Sequence, residues 1–300
     1  MKNKKQNFDL FSSYSFFTPG AKGLVVLFIW FLVGSLIGNV LTSIITLVAG
    51  ADAALDYGTL IAYPVMFIPA MMYASLKSKG NSFFDKGYAL SSDNYGKTGG
   101  FLCALIAAGV TFTLGFVVDL LSCALPEPPQ WFTDIMDSMT QGNFWVNFIC
   151  VSIFAPVFEE WLCRGEVLRG LLNFKRKDGG NGIKPVWAIV ISALFFALIH
   201  ANPWQALPAF CIGLLLGYVY YKTGSLKLTM LMHFTNNTIS LLLSRVPQFS
   251  EADNWKEVLP AGEYWVIFAA CVLFSVLAVR TFSRIELKSP QGNCDPVSIN

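Results

Sequence analysis

The chain has 300 residues, of which 54% are hydrophobic and 13% are charged, and its mean hydropathy is +0.54. The charged fraction is about half that of an ordinary soluble domain, which excludes a cytosolic enzyme and a disordered chain. The net charge of +2 at pH 7 is too small, and the basic residues too scattered, for a nucleic-acid-binding surface. The expected partners are therefore the lipid bilayer and molecules associated with it, without nucleic acid.

Apolar runs that are too long and too poor in charge for buried core helices predict about eight membrane-spanning helices. In chain order we place them at 23–49, 59–76, 101–121, 143–160, 186–200, 206–221, 228–243 and 264–279. The first run is much longer than the hydrophobic region of a signal peptide, so we expect it to be retained. The prediction is an all-α, polytopic membrane protein, with an N-terminal segment 1–22, a single transmembrane domain 23–280 and a C-terminal tail 281–300.

The distribution of charge orients these helices. With the N-terminus inside, 19 of the 21 Lys and Arg residues fall on the inner side, and the remaining two are Arg245 and Lys256. The positive-inside rule therefore predicts that both termini are cytosolic, in the plasma membrane if the source is bacterial. The outer loop 126–141, with three prolines and Trp131, is expected to form a turn and an interfacial amphipathic stretch.

The seven cysteines lie far apart without a CxxC pair, and four of them fall inside apolar runs. We therefore interpret them as small hydrophobic residues and not as disulfide partners or zinc ligands.

Ionisable and amide side chains at membrane depth are costly, so they are candidates for function. They concentrate in the fourth, fifth and seventh spans, and they include both histidines of the chain. The candidates are Glu159, Glu160, Arg164, His200, His233 and Asn237. We predict an intramembrane polar site between these three spans, within the core 143–243.

Helix geometry assigns these residues to faces. Glu160 and Arg164 are four residues apart and can form an ion pair, whereas Glu159 points about 100° away around the helix. His233 and Asn237 also share one face, and Phe196 lies one turn below His200 as an apolar wall or a stacking partner. We expect Glu160, Arg164 and Phe196 to support the site, and Glu159 to be free to face a cavity. Because His233 lies near the inner end of its span, we expect this site to open toward the cytosolic leaflet.

Three elements occur in order along the chain: Glu159-Glu160-x-x-x-Arg164, Phe196-x-x-x-His200 and His233-x-x-x-Asn237. At these residues the sequence resembles the CAAX-processing and bacteriocin-processing (CPBP) family of intramembrane endopeptidases, also called the CAAX protease and self-immunity family. The resemblance covers about a third of the chain. It implies hydrolysis of peptide bonds in membrane-associated substrates, in CAAX-type or leader and bacteriocin-type processing. It further implies that Glu159 and His200 activate water, and that His233 and Asn237 hold the oxyanion.

Three different hypotheses compete with this one. The same protease could use zinc held by Glu159, His200 and His233, a ligand set found in catalytic zinc sites. We favour chemistry without a metal cofactor because Glu160, paired to Arg164 on another face, is badly placed to act as the general base beside that zinc. The second hypothesis is a proton-coupled transporter, and the third is a non-catalytic immunity or scaffold protein.

Overall fold

The computed structural model describes residues 17, 19–77, 94–174, 183–250, 252 and 254–287. Within these ranges no strand occurs, and the longer helices are α1 (Ala21–Ala49), α2 (Thr59–Lys77), α3 (Gly100–Ser122), α4 (Gln130–Gln141), α5 (Phe144–Leu172), α6 (Pro185–Leu198), α7 (Pro203–Thr223), α8 (Leu226–Leu243) and α9 (Ala261–Ser283). Shorter helical segments are Ala51–Ala53, Ala54–Gly58, Pro247–Ser250 and Trp255–Val258. The all-α fold class is confirmed.

Six helices of the described chain, α1, α2, α3, α5, α7 and α9, are long and apolar enough to cross a membrane. The fold is therefore that of a polytopic membrane protein. Each of the eight expected spans coincides with one of the helices, but α6 has only 14 residues and α8 is more polar than the six. The count of eight crossings is therefore not confirmed.

Helix α5 is the central helix, and a larger share of it is buried than of any other helix of membrane length. It continues to Leu172, whereas the sequence prediction ended the span at Glu160 because charged residues follow. Arg164 and Glu166 are 0% and 1% exposed, so protein rather than water surrounds them. Two wide π-helical stretches, Phe148–Phe154 and Trp161–Leu168, flank the α-helical turn that carries both glutamates. Such π segments are frequent at functional sites.

Small residues allow close packing between neighbouring helices. On α1, a Cβ at Gly34 would overlap the carbonyl oxygen of Met66 on α2, so only glycine fits this crossing. On α7, a Cβ at Gly213 would lie 3.2 Å from Phe196 Cδ1 on α6. These close approaches join α1 to α2 and α6 to α7.

The predicted N-terminal segment and C-terminal tail lie largely outside the described residues, as do 78–93 and the turn 175–182 with many of the inner basic residues. The domain boundaries and the orientation in the membrane therefore stay predictions.

Candidate active site

One cavity of about 630 Å³ brings the three sequence elements together. Its walls come from α2, α3, α5, α8 and the turn between α6 and α7, and its lining includes Glu159, Phe196, His200, His233 and Asn237. The five side chains that the sequence placed on three different helices thus face one space. Glu160 and Arg164 are fully buried and support it from behind.

Glu159 is 8% exposed, and its two carboxylate oxygens have different surroundings. Oε1 accepts a hydrogen bond from the hydroxyl of Tyr63 on α2. Oε2 has no hydrogen-bond partner among the described residues. A buried carboxylate oxygen is costly to leave unbonded, so Oε2 is the atom available to a water molecule or a substrate. Tyr63 could not be identified from the sequence, because it is one of two tyrosines in an apolar helix and no spacing sets it apart from Tyr73.

Glu160 organises the buried charges. Its Oε1 accepts hydrogen bonds from Arg164 Nη1 at 2.7 Å, as the spacing predicts, and from His233 Nδ1 at 3.1 Å, which the sequence did not indicate. Arg164 Nη2 also donates to the carbonyl of Gly213 at 2.9 Å, and the guanidinium lies 4.6 Å from the centre of the Phe196 ring. Because a carboxylate can only accept, His233 carries a proton on Nδ1 and presents Nε2 to the cavity side.

His200 lies in the tight turn between α6 and α7. Its Nδ1 is 2.8 Å from the carbonyl oxygen of Phe196, so Nδ1 carries the proton and Nε2 of the neutral ring is an acceptor. The following residue, Ala201, has φ of 56°, a left-handed conformation that alanine rarely adopts. Asn202 stabilises the turn by donating to the His200 carbonyl at 2.8 Å and accepting from the backbone N–H of Gln205 at 2.8 Å.

The ring of Phe196 separates the two imidazoles. Its centroid is 5.1 Å from that of His200 and 5.4 Å from that of His233, with interplanar angles of 83° and 89°. Both contacts have the edge-to-face geometry that aromatic rings prefer. Phe196 is 3% exposed and therefore fixes the directions of both imidazoles from one position.

Asn237 is held by a backbone carbonyl of α5 that accepts no hydrogen bond from Pro156. Its Nδ2 donates to the carbonyl of Val151 at 2.8 Å, and its Oδ1 accepts from Asn236 Nδ2 at 3.1 Å. In the π-helical stretch the N–H of Ala155 bonds to the Cys150 carbonyl, and Pro156 has no N–H to offer Val151. The Val151 carbonyl is thus available to orient the Asn237 amide, which keeps a second N–H.

The zinc hypothesis requires three ligands in one place. Across the part of the chain that the structure describes, no three His, Cys, Asp or Glu side chains are grouped so that they could hold a metal ion. We therefore derive no chemical step through zinc.

The lining of the cavity extends toward the end of the bundle opposite to the one expected for its opening. Beyond the polar cluster its lining continues along Asp119 at the end of α3, Met136 of α4 and Trp255. Asp119 Oδ2 accepts from the backbone N–H of Trp255 at 2.9 Å there. These residues belong to the side that the charge distribution assigns to the outer loops. At the other end every residue of 159–171 is buried. Because the orientation in the membrane is untested, the expected cytosolic opening stays a prediction.

Comparison with known families supports the motif assignment. Residues 141–239, about a third of the chain, match the model of the family described as type II CAAX prenyl endopeptidase Rce1-like. The matched segment contains Glu159, His200, His233 and Asn237. The family resemblance seen in the motifs is therefore confirmed over this segment. With the six apolar helices, the match makes the chain an integral membrane protein.

The chain is also similar to the UPF0177 protein YaiF of Lactococcus lactis subsp. lactis (strain IL1403), with 29% identity over 94 residues. The alignment covers 31% of this chain and 38% of that relative's length. No solved structure matches.

Proposed function

We propose that the chain is an intramembrane endopeptidase that hydrolyses a peptide bond of a membrane-associated peptide or protein. The observation that carries this proposal is the unbonded Oε2 of Glu159, buried beside a cavity that also contains two imidazoles and an amide. The segment with these residues is the one that matches a family of CAAX prenyl endopeptidases. CAAX-type processing and leader or bacteriocin-type processing are the two substrate classes that we retain.

In the proposed reaction, Glu159 and His200 activate one water molecule. Oε2 of Glu159 accepts a proton from this water while Nε2 of His200 accepts a hydrogen bond from its other O–H. The water oxygen forms a bond to the scissile carbonyl carbon, and the carbonyl oxygen becomes an oxyanion. When the C–N bond breaks, the proton on Glu159 passes to the leaving nitrogen, so the carboxylate is restored.

His233 and Asn237 stabilise the oxyanion in this proposal. Asn237 offers the N–H that is not bonded to Val151. His233 offers Nε2–H when this nitrogen carries a proton, while Nδ1 stays bonded to Glu160.

The proposed reaction needs no metal. Purified chain should retain activity after prolonged chelation and contain no stoichiometric zinc. Loss of activity with a chelator and its return with zinc would contradict the glutamate mechanism and make Glu159, His200 and His233 ligands.

We further propose that both termini are cytosolic, because 19 of the 21 Lys and Arg residues then fall on the inner side. If the source is bacterial, the membrane is the plasma membrane. Reporter domains fused after Lys97 and after Lys177 should lie in the cytosol, and those after Asp56 or Asp253 on the opposite face. In this orientation the lining of the cavity extends toward the outer side. A reporter after Lys177 that lies outside would reverse the orientation and place that end of the cavity toward the cytosol.

A comparison of membrane peptides in cells tests the proposed function. Cells with the wild-type chain are compared with cells that contain Glu159→Gln, which cannot accept the proton from water. We expect at least one peptide to accumulate uncleaved in the variant. Glu263→Gln is the matched control, since Glu263 is exposed at the start of α9. Identical peptides in the wild type and Glu159→Gln would contradict the protease and favour a scaffold or immunity function.

A further inference from the structure

Tyr63 lies on α2, outside the segment that matches the endopeptidase family, and yet it contacts the proposed general base. It lines the cavity, and its hydroxyl donates to Oε1 of Glu159. We infer that Tyr63 is a positioning residue that holds one carboxylate oxygen of Glu159 and leaves the other free for the attacking water. This inference rests on the proposed function of Glu159 as the base.

The position of Tyr63 is fixed by an aromatic stack between α2 and α5. The Tyr63 ring packs on Phe67, one helical turn further along α2, with centroids 5.7 Å apart. Phe67 is fully buried and stacks on Phe158 of α5 at 5.3 Å with an interplanar angle of 17°. Because Phe158 is the residue before Glu159, the stack and the hydrogen bond join the same two helical turns. If Glu159 adopted a different rotamer, Tyr63 would have to lose its packing on Phe67 to keep the hydrogen bond.

The hydrogen bond that Tyr63 donates determines which carboxylate oxygen of Glu159 reacts. With Oε1 bonded to the phenol, Oε2 remains without a partner among the described residues, and the residue lines the cavity. A carboxylate with one oxygen held by a donor cannot rotate freely about its terminal bond. Glu159 is thus preorganised to receive a proton at one oxygen.

The same hydrogen bond gives the buried carboxylate of Glu159 a donor. A buried carboxylate is costly when no donor contacts it, and hydrogen bonds to a charged group are stronger than neutral ones. The positive charge of Arg164 is directed to Glu160 and to the Gly213 carbonyl, and His233 Nδ1 is also bonded to Glu160. His200 Nδ1 is bonded to Phe196. Among the described residues, Tyr63 is consequently the side chain that donates a hydrogen bond to Glu159.

The activity test uses the full-length chain in liposomes and an internally quenched farnesylated CaaX peptide as the probe. Tyr63→Phe keeps the ring and removes the donor. We expect kcat to fall about 10- to 100-fold, the loss corresponding to one hydrogen bond to a charged group, while KM and the unfolding temperature stay nearly unchanged. Tyr73→Phe is the matched control on the same helix, because Tyr73 packs on Phe17 outside the cavity lining and should leave kcat unaltered. Equal kcat in wild type and Tyr63→Phe would overturn the inference.

Infrared difference spectroscopy tests the hydrogen bond without any cleavage, and so separates this inference from the proposed function. The spectrum of each protein minus that of its Glu159→Gln counterpart isolates the carboxyl of Glu159. We expect the carboxylate bands to shift in Tyr63→Phe, because one oxygen loses its donor, and to stay at the wild-type positions in Tyr73→Phe. A purely structural tyrosine would leave the bands unchanged in all three proteins. That result would overturn the inference even if the enzyme cleaves peptides.

Discussion

Glu160→Gln should destabilise the folded chain strongly, because Glu160 is the charge partner of a fully buried arginine. Both side chains are 0% exposed, and the Oε1 atom accepts from Arg164 at 2.7 Å and from His233 at 3.1 Å. Glutamine keeps the size and one acceptor oxygen but removes the negative charge. The guanidinium then retains the Gly213 carbonyl and the Phe196 ring as partners, neither of which neutralises it.

The magnitude follows from these contacts. Removing one member of a buried ion pair costs about 3–5 kcal/mol. The glutamine oxygen can still accept one hydrogen bond, which returns about 1 kcal/mol. The expected loss is therefore about 2–4 kcal/mol. For a large domain each kcal/mol lowers the unfolding midpoint by roughly 2–4 °C, so we expect a decrease of about 5–15 °C.

The assay is thermal unfolding of the purified protein in detergent, followed by circular dichroism for the wild type, Glu160→Gln and a control variant. Glu263→Gln is the control, since it makes the same substitution at a glutamate that is exposed at the start of α9. That control should shift the midpoint much less. Equal midpoints for wild type and Glu160→Gln would refute the conclusion that Glu160 neutralises Arg164.

His233→Ala and Asn237→Ala should each lower kcat by about 10²–10³ and change KM little, because oxyanion donors act mainly in the transition state; a rise in KM alone would point to substrate binding instead. Gly213→Ala should cost about 1–3 kcal/mol of stability and reduce activity, since its Cβ would lie 3.2 Å from Phe196 and displace the ring that orients both imidazoles. Gly262→Ala, whose Cβ would meet nothing within 4 Å, is the control, and equal effects of the two alanines on unfolding and turnover would contradict this packing argument.

The polar residues of the site could be predicted from the sequence because they stand out against apolar helices. Glu160 and Arg164 needed only the spacing of one helical turn, and that ion pair is present. His200, His233 and Asn237 were identified because so few polar groups occur in the spans, and the structure brings them to one cavity with Glu159. Composition and local spacing were sufficient to predict these polar residues of the site.

Contacts between distant helices could not be predicted in this way. Tyr63 is 96 residues from Glu159, and His233 is 73 residues from Glu160, so no local periodicity relates them. The end of α5 was placed too early because a buried ion pair and an exposed one look alike in a sequence. Which end of the bundle the cavity extends to depends on which end of α5 is packed by side chains. That packing is a property of the assembled helices and not of one local sequence.

The most direct test of the account is cleavage of the farnesylated CaaX peptide, or of a peptide that accumulates in Glu159→Gln cells, by the purified chain in water labelled with ¹⁸O. We predict cleavage by the wild type with label in the new carboxylate. Glu159→Gln should lower the rate by orders of magnitude while the protein stays folded and inserted. Equal rates for the two proteins would contradict the central claim that Glu159 activates the water that breaks the peptide bond.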